Sequence, residues 1–153
     1  MVLGLLVGVA RVCGWGPFAR DHAEGLANVK LAALTSEAEA GDPCAGARRC
    51  VIVYLTPWCP ACKQAKPLVK ALRARLEAGT RMKVVIGQGE RSRSREMAGE
   101  IGGAVFFDPD GDYYRAMKGT GVPYWITLDG QRVTARMAGY VLPLEAQLSQ
   151  LAL

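Results

Sequence analysis

Apolar residues along this chain fall into short unbroken runs and one-sided stripes. Val51-Ile52-Val53-Tyr54-Leu55 is a continuous apolar run rich in β-branched residues, the pattern of a strand buried on both faces. Met82 to Ile86, apolar except for Lys83, also reads as a buried strand. Between them Ala65, Leu68, Val69, Leu72 and Leu76 recur at helical spacing, which predicts a helix from about Pro60 to Ala78, stopped by Gly79. Pro67 lies inside it and should kink it by removing a backbone donor. A helix over Arg91–Ile101 and a short strand over Ala104–Phe107 follow, then a turn at Asp108-Pro109-Asp110-Gly111 and a short helix from Asp112 to about Lys118. Tyr124–Leu128 reads as a strand, with Tyr124 and Trp125 on opposite faces. Asp129-Gly130 is a tight-turn signal that folds Arg132–Met137 back antiparallel to it. Pro143–Leu151 closes the chain as an amphipathic helix. Upstream, Leu26, Val29, Leu31 and Leu34 predict a helix over Asp21–Ala40, ended by Gly41-Asp42-Pro43, with a loop from Cys44 to Arg49.

This order of elements is that of an α/β layered domain with an antiparallel edge. The reading is an N-terminal extension over residues 1–50 and a domain over residues 51–153. The whole has 153 residues, half of them hydrophobic and 22% charged, which suits one packed core. The formal charge of +5 permits an acidic partner or an anionic membrane surface and does not demand nucleic acid. A monomer is expected. Residues 1–10 form an apolar stretch without preceding positive charge, too short to span a bilayer. A signal remnant, a structural segment and a peripheral anchor all remain open for it. Five cysteines are too few for a disulfide scaffold, and the odd count leaves at least one thiol unpaired. Cys13 reads as a small hydrophobe.

The chemistry concentrates in Trp58-Cys59-Pro60-Ala61-Cys62-Lys63. A Cys-x-x-Cys pair between a strand and a helix reads as a redox pair, against half of a zinc site completed by Cys44 and Cys50, with His22 in reserve. The gap between Cys44 and Cys50 is wide for a zinc knuckle, and the strand–helix setting favours redox. Pro60 fits the first helical position, which puts Cys59 at the N-cap. There the free backbone amides and the helix dipole favour a thiolate, and Lys63 and Lys66 one turn on add positive potential. Cys62 falls on the same side of the helix and is expected to be more buried. Cys59 is then the attacking sulphur and Cys62 the resolving one. The pair carries two electrons, so no cofactor is required and no metal is assigned.

These residues resemble the thioredoxin superfamily. Trp58-Cys59-x-x-Cys62-Lys63 with Pro67 matches that family's active-site helix, and Val122-Pro123 before a strand and hairpin looks like its cis-proline loop. The resemblance covers roughly Val51 to Leu151. It implies a thioredoxin-like fold, a central mixed sheet flanked by helices, here with an N-terminal helical extension. It also implies thiol–disulfide exchange with protein substrates and a redox partner protein. Val122 would pair its backbone with substrate, and Trp58, Pro60 and Pro123 would line the substrate surface. The strand Ala104–Phe107 and the run to Pro123 resemble the insert of the TlpA-like, extracytoplasmic branch more weakly. That branch implies the cell envelope or periplasm, with the cytoplasm as the alternative. Two departures stand out. Val53 and Ala65 occupy the places where thioredoxins and TlpA-like reductases respectively carry a proton-accepting acid. The redox direction is left open, and a non-catalytic binding or metal-carrier module is the alternative.

Three other signals have plainer readings. Cys44 and Cys50 form either a second disulfide or two idle thiols. Asp108, Asp110 and Asp112 do not make a calcium loop, because Gly119 stands where the acidic twelfth ligand belongs. Arg91, Arg93 and Arg95, at spacing two, spread around a solvated helix surface.

Overall fold

β2 (Arg49–Leu55) is the axis of the molecule: from Cys50 onward every residue of it is buried. The computed structural model describes residues 21–153, so the expectations on residues 1–20, Cys13 among them, lie outside the described residues. β2 pairs in parallel with β3 (Thr80–Gly87), which pairs in parallel with β4 (Val105–Asp108). On its other side β2 runs antiparallel to β5 (Tyr124–Asp129), which turns at Gly130 into β6 (Arg132–Ala138). A two-residue strand, β1 (Ala32–Ala33), covers the far edge of β4, so the six-stranded order is β1-β4-β3-β2-β5-β6.

Strand alternation divides the core into two layers. Val51, Val53 and Leu55 point to one face, and Cys50, Ile52 and Tyr54 to the other. The first layer receives Leu68, Val69 and Leu72 from α2 (Pro60–Arg75) and Met97, Ala98 and Ile101 from α3 (Arg91–Ile101). Leu144 and Leu148 of α5 (Leu144–Gln150) and Leu151 close it. Each fully buried Val, Leu, Ile or Met among them contributes about 1.5–3 kcal/mol of transfer free energy. The second layer holds Ala23, Leu26, Ala38, Tyr113 and Met117, the last two from α4 (Asp112–Ala116) and the residue that ends it. Trp125 enters the first layer and Tyr124 the second, as expected of neighbours in a strand.

The expected helix over Asp21–Ala40 is not continuous. Gly25 takes a left-handed φ of 91° and starts a single 3-10 turn, Leu26–Asn28. The chain then extends into β1, and only Ser36–Glu39 is helical (α1). The apolar spacing that suggested one helix serves the sheet instead. Leu34 and Ala38 are buried, and Thr35 ties the segment down by donating Oγ1 to the Gly103 carbonyl at 2.8 Å. The same Oγ1 accepts from the Ala38 and Val105 amides. α2 is also shorter than expected, ending at Arg75. The turn at Asp108 holds more than a turn. Its carboxylate is buried, accepting from the Tyr54 hydroxyl at 2.8 Å and from the Tyr113 and Tyr114 amides at 3.1 Å each. Gly87 makes this approach possible, since a Cβ there would lie 2.0 Å from the Tyr54 hydroxyl.

Candidate active site

β2 delivers the chain through Thr56-Pro57-Trp58 to Cys59, the N-cap of α2, with extended φ and ψ of −85° and 122°. Pro60 takes the first helical position, where its missing N–H costs no hydrogen bond. The Lys63 amide donates to the Cys59 carbonyl at 3.1 Å, closing the first turn. One turn along, Cys62 points back beneath Cys59. The two thiols are free, and their environments differ. Cys59 keeps 9% of its surface exposed at the edge of the core, and Cys62 keeps none.

Cys62 is held by the end of β2. The Thr56 amide donates to its Sγ at 3.4 Å, and Thr56 Oγ1 lies 3.9 Å away. Burial nevertheless pushes the Cys62 thiol up to about 12, because a desolvated thiolate is costly. The Thr56 amide opposes this, and negative charge on Cys59 adds to it. The carboxylates that could take its proton are absent from the expected places. Val53 and Ala65 are fully buried apolar side chains. The buried acid of this fold, Asp108, bonds to Tyr54 in the opposite layer. At pH 8, a pKa of about 12 leaves roughly 10⁻⁴ of Cys62 as thiolate. Iodoacetamide at that pH should therefore leave Cys62 unmodified in the native chain and label it after denaturation. Peptide mapping reads the outcome, and native labelling of Cys62 at the rate of a free thiol would refute the assignment.

The second element of the site is the loop before β5. Its Val122-Pro123 peptide is cis, and the Val122 carbonyl lies 3.8 Å from Cys59 Sγ. The loop is braced from both sides. The Tyr114 hydroxyl donates to the Gly121 carbonyl at 3.2 Å, and the Pro123 carbonyl accepts from the Gly139 amide at 2.7 Å. Trp58 flanks the site with 54% of its surface exposed, and its indole N–H donates to the Gln88 carbonyl at 2.7 Å. A Cβ on Gly89 would stand 2.5 Å from Pro57 Cγ, so the β3–α3 loop packs tightly against this connection.

The fold thus brings together Cys59, Cys62, Val122 and Pro123, with Trp58 and the exposed Pro60 beside them. The lysines stand differently. Lys63 is exposed, and Lys66 bonds to Glu100 across α2 and α3. Both border a groove of about 270 Å³ that also touches Pro57, Arg93 and Glu96. Sequence reasoning missed Thr56, Gln88 and Tyr114. A threonine closing an apolar strand next to Cys-x-x-Cys was a usable signal for the first. Gln88 acts through its backbone and Tyr114 through long-range packing, which leave no local pattern.

The other pair is resolved as well. Cys44 and Cys50 are joined by a disulfide, with Cα atoms 5.5 Å apart, so they are not the other half of a zinc site. Among the described residues no group of three or more His, Cys, Asp or Glu side chains is placed to share a metal ion. Nor is any described helix long and apolar enough to cross a membrane.

No family model matches the chain, and no curated protein matches it. Solved structures do. A protein from Chlorobium tepidum assigned as a thiol:disulfide interchange protein, DsbE, superposes with a TM-score of 0.66 at 20% identity, covering 87% of this chain and 94% of that one. A secreted Mycobacterium tuberculosis disulfide oxidoreductase superposes at 0.58 with 14% identity, covering 69% and 81%. StoA from Bacillus subtilis gives 0.57 at 14% identity, over 65% and 79%. Together with the strand order and the cis-proline loop, these matches give the chain a thioredoxin-like fold.

Proposed function

We propose that this chain, folded as a thioredoxin-like domain, is a thiol–disulfide oxidoreductase acting on protein disulfides through Cys59 and Cys62. One observation carries the reading: a cysteine at the edge of the surface, 3.8 Å from the cis-proline loop carbonyl, with a fully buried second cysteine one turn behind it.

In the reducing direction the Cys59 thiolate attacks one sulphur of a substrate disulfide. The substrate S–S bond breaks, and the released thiolate takes a proton from solvent. Cys62 then loses its proton and attacks Cys59 Sγ, breaking the mixed disulfide and freeing the second substrate thiol. Two electrons pass to the substrate, and Cys59–Cys62 is left as a disulfide. The oxidising direction is the reverse sequence. Val122 offers its backbone to an extended substrate segment, in the manner of an added strand. Trp58, Pro60 and Pro123 form the surface around the reacting sulphur. Lys63 contributes positive potential at the start of α2, and Lys66 does so less, because Glu100 pairs with it. Residues 51–153 carry the catalytic groups under this reading, and β1 and the first residues of β2 complete the same sheet and core.

The second disulfide supports a location outside the reducing cytoplasm, in the cell envelope. The secreted M. tuberculosis oxidoreductase of the same fold is consistent with it. The test of function is direct. The purified chain should accelerate insulin reduction by dithiothreitol, followed as turbidity from the precipitating B chain. A rate equal to dithiothreitol alone would remove the proposal. Equilibration of the Cys59–Cys62 pair against glutathione gives the direction: about −270 mV marks a reductant and about −120 mV an oxidant.

A further inference from the structure

The Cys44–Cys50 disulfide lies away from Cys59 and Cys62. Cys50 belongs to the second core layer, under the opposite face of the sheet, while Cys59 and Cys62 belong to the first. A structural staple is the plain explanation for such a bond. Two features argue for more. The first is access. The bond borders an open cavity of about 370 Å³, whose walls include Ala23, Leu26, Asp42 and Lys83. Cys44 is half-buried at this cavity, whereas Cys50 is 4% exposed. The pair therefore repeats the asymmetry of the active-site thiols, one reachable sulphur and one hidden.

The second feature is that the loop has anchors other than its bond. Asp42 Oδ1 accepts from the Cys44 amide at 2.9 Å, and the Asp42 carbonyl accepts from the Ala45 amide at 3.1 Å. The Cys44 carbonyl accepts from the Ala47 amide at 3.1 Å. Asp42 Oδ2 accepts from the Lys83 ammonium at 2.6 Å. Lys83 rises from β3 with 8% exposure and sits 5.1 Å from the ring centres of both Phe106 and Tyr113. Cys50 is separately held by strand pairing on both sides. None of these contacts passes through the S–S bond, so each can persist when that bond opens.

We propose that Cys44–Cys50 is a second thiol–disulfide exchange centre, reduced by an external dithiol within the folded domain. A thiolate of that dithiol enters the cavity and attacks Cys44 Sγ. The Cys44–Cys50 bond breaks, and Cys50 leaves as a thiolate that takes up a proton. The dithiol's second thiol then displaces Cys44 from the mixed disulfide. Two electrons move to the chain, and the dithiol departs as a disulfide. The Asp42–Lys83 ion pair keeps the loop in register for reoxidation.

The experiment uses the full chain carrying Cys13→Ser, Cys59→Ser and Cys62→Ser, so its result is independent of the function proposed for Cys59 and Cys62. The protein is equilibrated with reduced and oxidised dithiothreitol at graded ratios, quenched with an alkylating agent and weighed. Near-UV circular dichroism is recorded alongside. Peptide mapping of the unmutated chain under the same conditions guards against a misfolded variant. The expected result is a two-electron transition with the native spectrum retained. Adding Cys50→Ser should leave a Cys44 that forms a mixed disulfide with 5,5′-dithiobis(2-nitrobenzoate) about tenfold or more faster than Cys50 does in the converse Cys44→Ser variant. A pair that stays oxidised until the spectrum collapses, or equal rates at the two sulphurs, would overturn the proposal.

Discussion

Cys59→Ser should reduce insulin turnover to the background of dithiothreitol alone, whereas Cys62→Ser should stall one step later with substrate attached. The difference follows from where the two sulphurs sit. Cys59 is the one at the surface edge and at the helix N-terminus, so without it this pair has no sulphur that can meet a substrate disulfide. Cys62 is fully buried, its sulphur facing Thr56 and Cys59 and no solvent. Its loss leaves the first attack intact and removes the second. The Cys62→Ser chain should gain the mass of one substrate chain, released by excess dithiothreitol. The unmutated chain adds a pH signature. Because burial raises the Cys62 thiol to about 12, its thiolate fraction grows about tenfold per pH unit through the neutral range. The lifetime of the mixed disulfide should shorten by about tenfold per pH unit, about a hundredfold from pH 7 to 9, in stopped-flow or quenched assays. A Cys59→Ser chain with more than about a tenth of native activity would refute its role as nucleophile, since loss of a nucleophile costs far more than that.

Asp108→Ala should destabilise the fold by about 3–5 kcal/mol, a large part of the 5–15 kcal/mol expected for such a domain. The carboxylate serves the Tyr54 hydroxyl and two amides at the start of α4, all in the second core layer. Alanine leaves three donors without an acceptor, at about 1–3 kcal/mol each before relaxation. Burial, and then the bond to Asp108, already hold the Tyr54 phenol protonated far above its usual range, so it stays a donor in search of an acceptor. Asp108→Asn keeps one oxygen and should cost less. Urea unfolding followed by circular dichroism measures both, and a loss under about 1 kcal/mol for alanine would contradict the account. Tyr114 extends the consequence to catalysis, since its amide is one of the two and its hydroxyl braces Gly121 beside the cis-proline.

Much of this was legible because the informative residues are local. The apolar runs at Val51–Leu55 and Met82–Ile86 fall within β2 and β3, and the spacing over Arg91–Ile101 gives α3 with its bounds. Cys59 and Cys62 with Pro60 announce their own geometry, because N-cap and first-turn positions follow from sequence alone. The helix expected over Asp21–Ala40 failed for the opposite reason. Its apolar spacing suited a helix, but the unpaired edge of β4 claimed Ala32 and Ala33 for the sheet, and edge pairing is not written in the segment that supplies it. Asp108 was read as a turn residue because its partner Tyr54 lies 54 positions away. The absence of acids at Val53 and Ala65 was visible in sequence, but the lack of a nearby substitute required the two core layers to be resolved.

β2 carries Cys50 near its start and leads to Cys59 beyond its end. From Cys50 to Leu55 alone the strand spans about 17 Å, five steps of roughly 3.3 Å. Thiol–disulfide exchange needs sulphurs in contact, near 2 Å. The rigid central strand is therefore an insulator between the two pairs. Charge entering at one face cannot be handed internally to the other, and each pair must be filled and emptied by its own encounters. A chain with both centres reducible stores two or four electrons in independent steps, and titration with a reductant would resolve two waves instead of one.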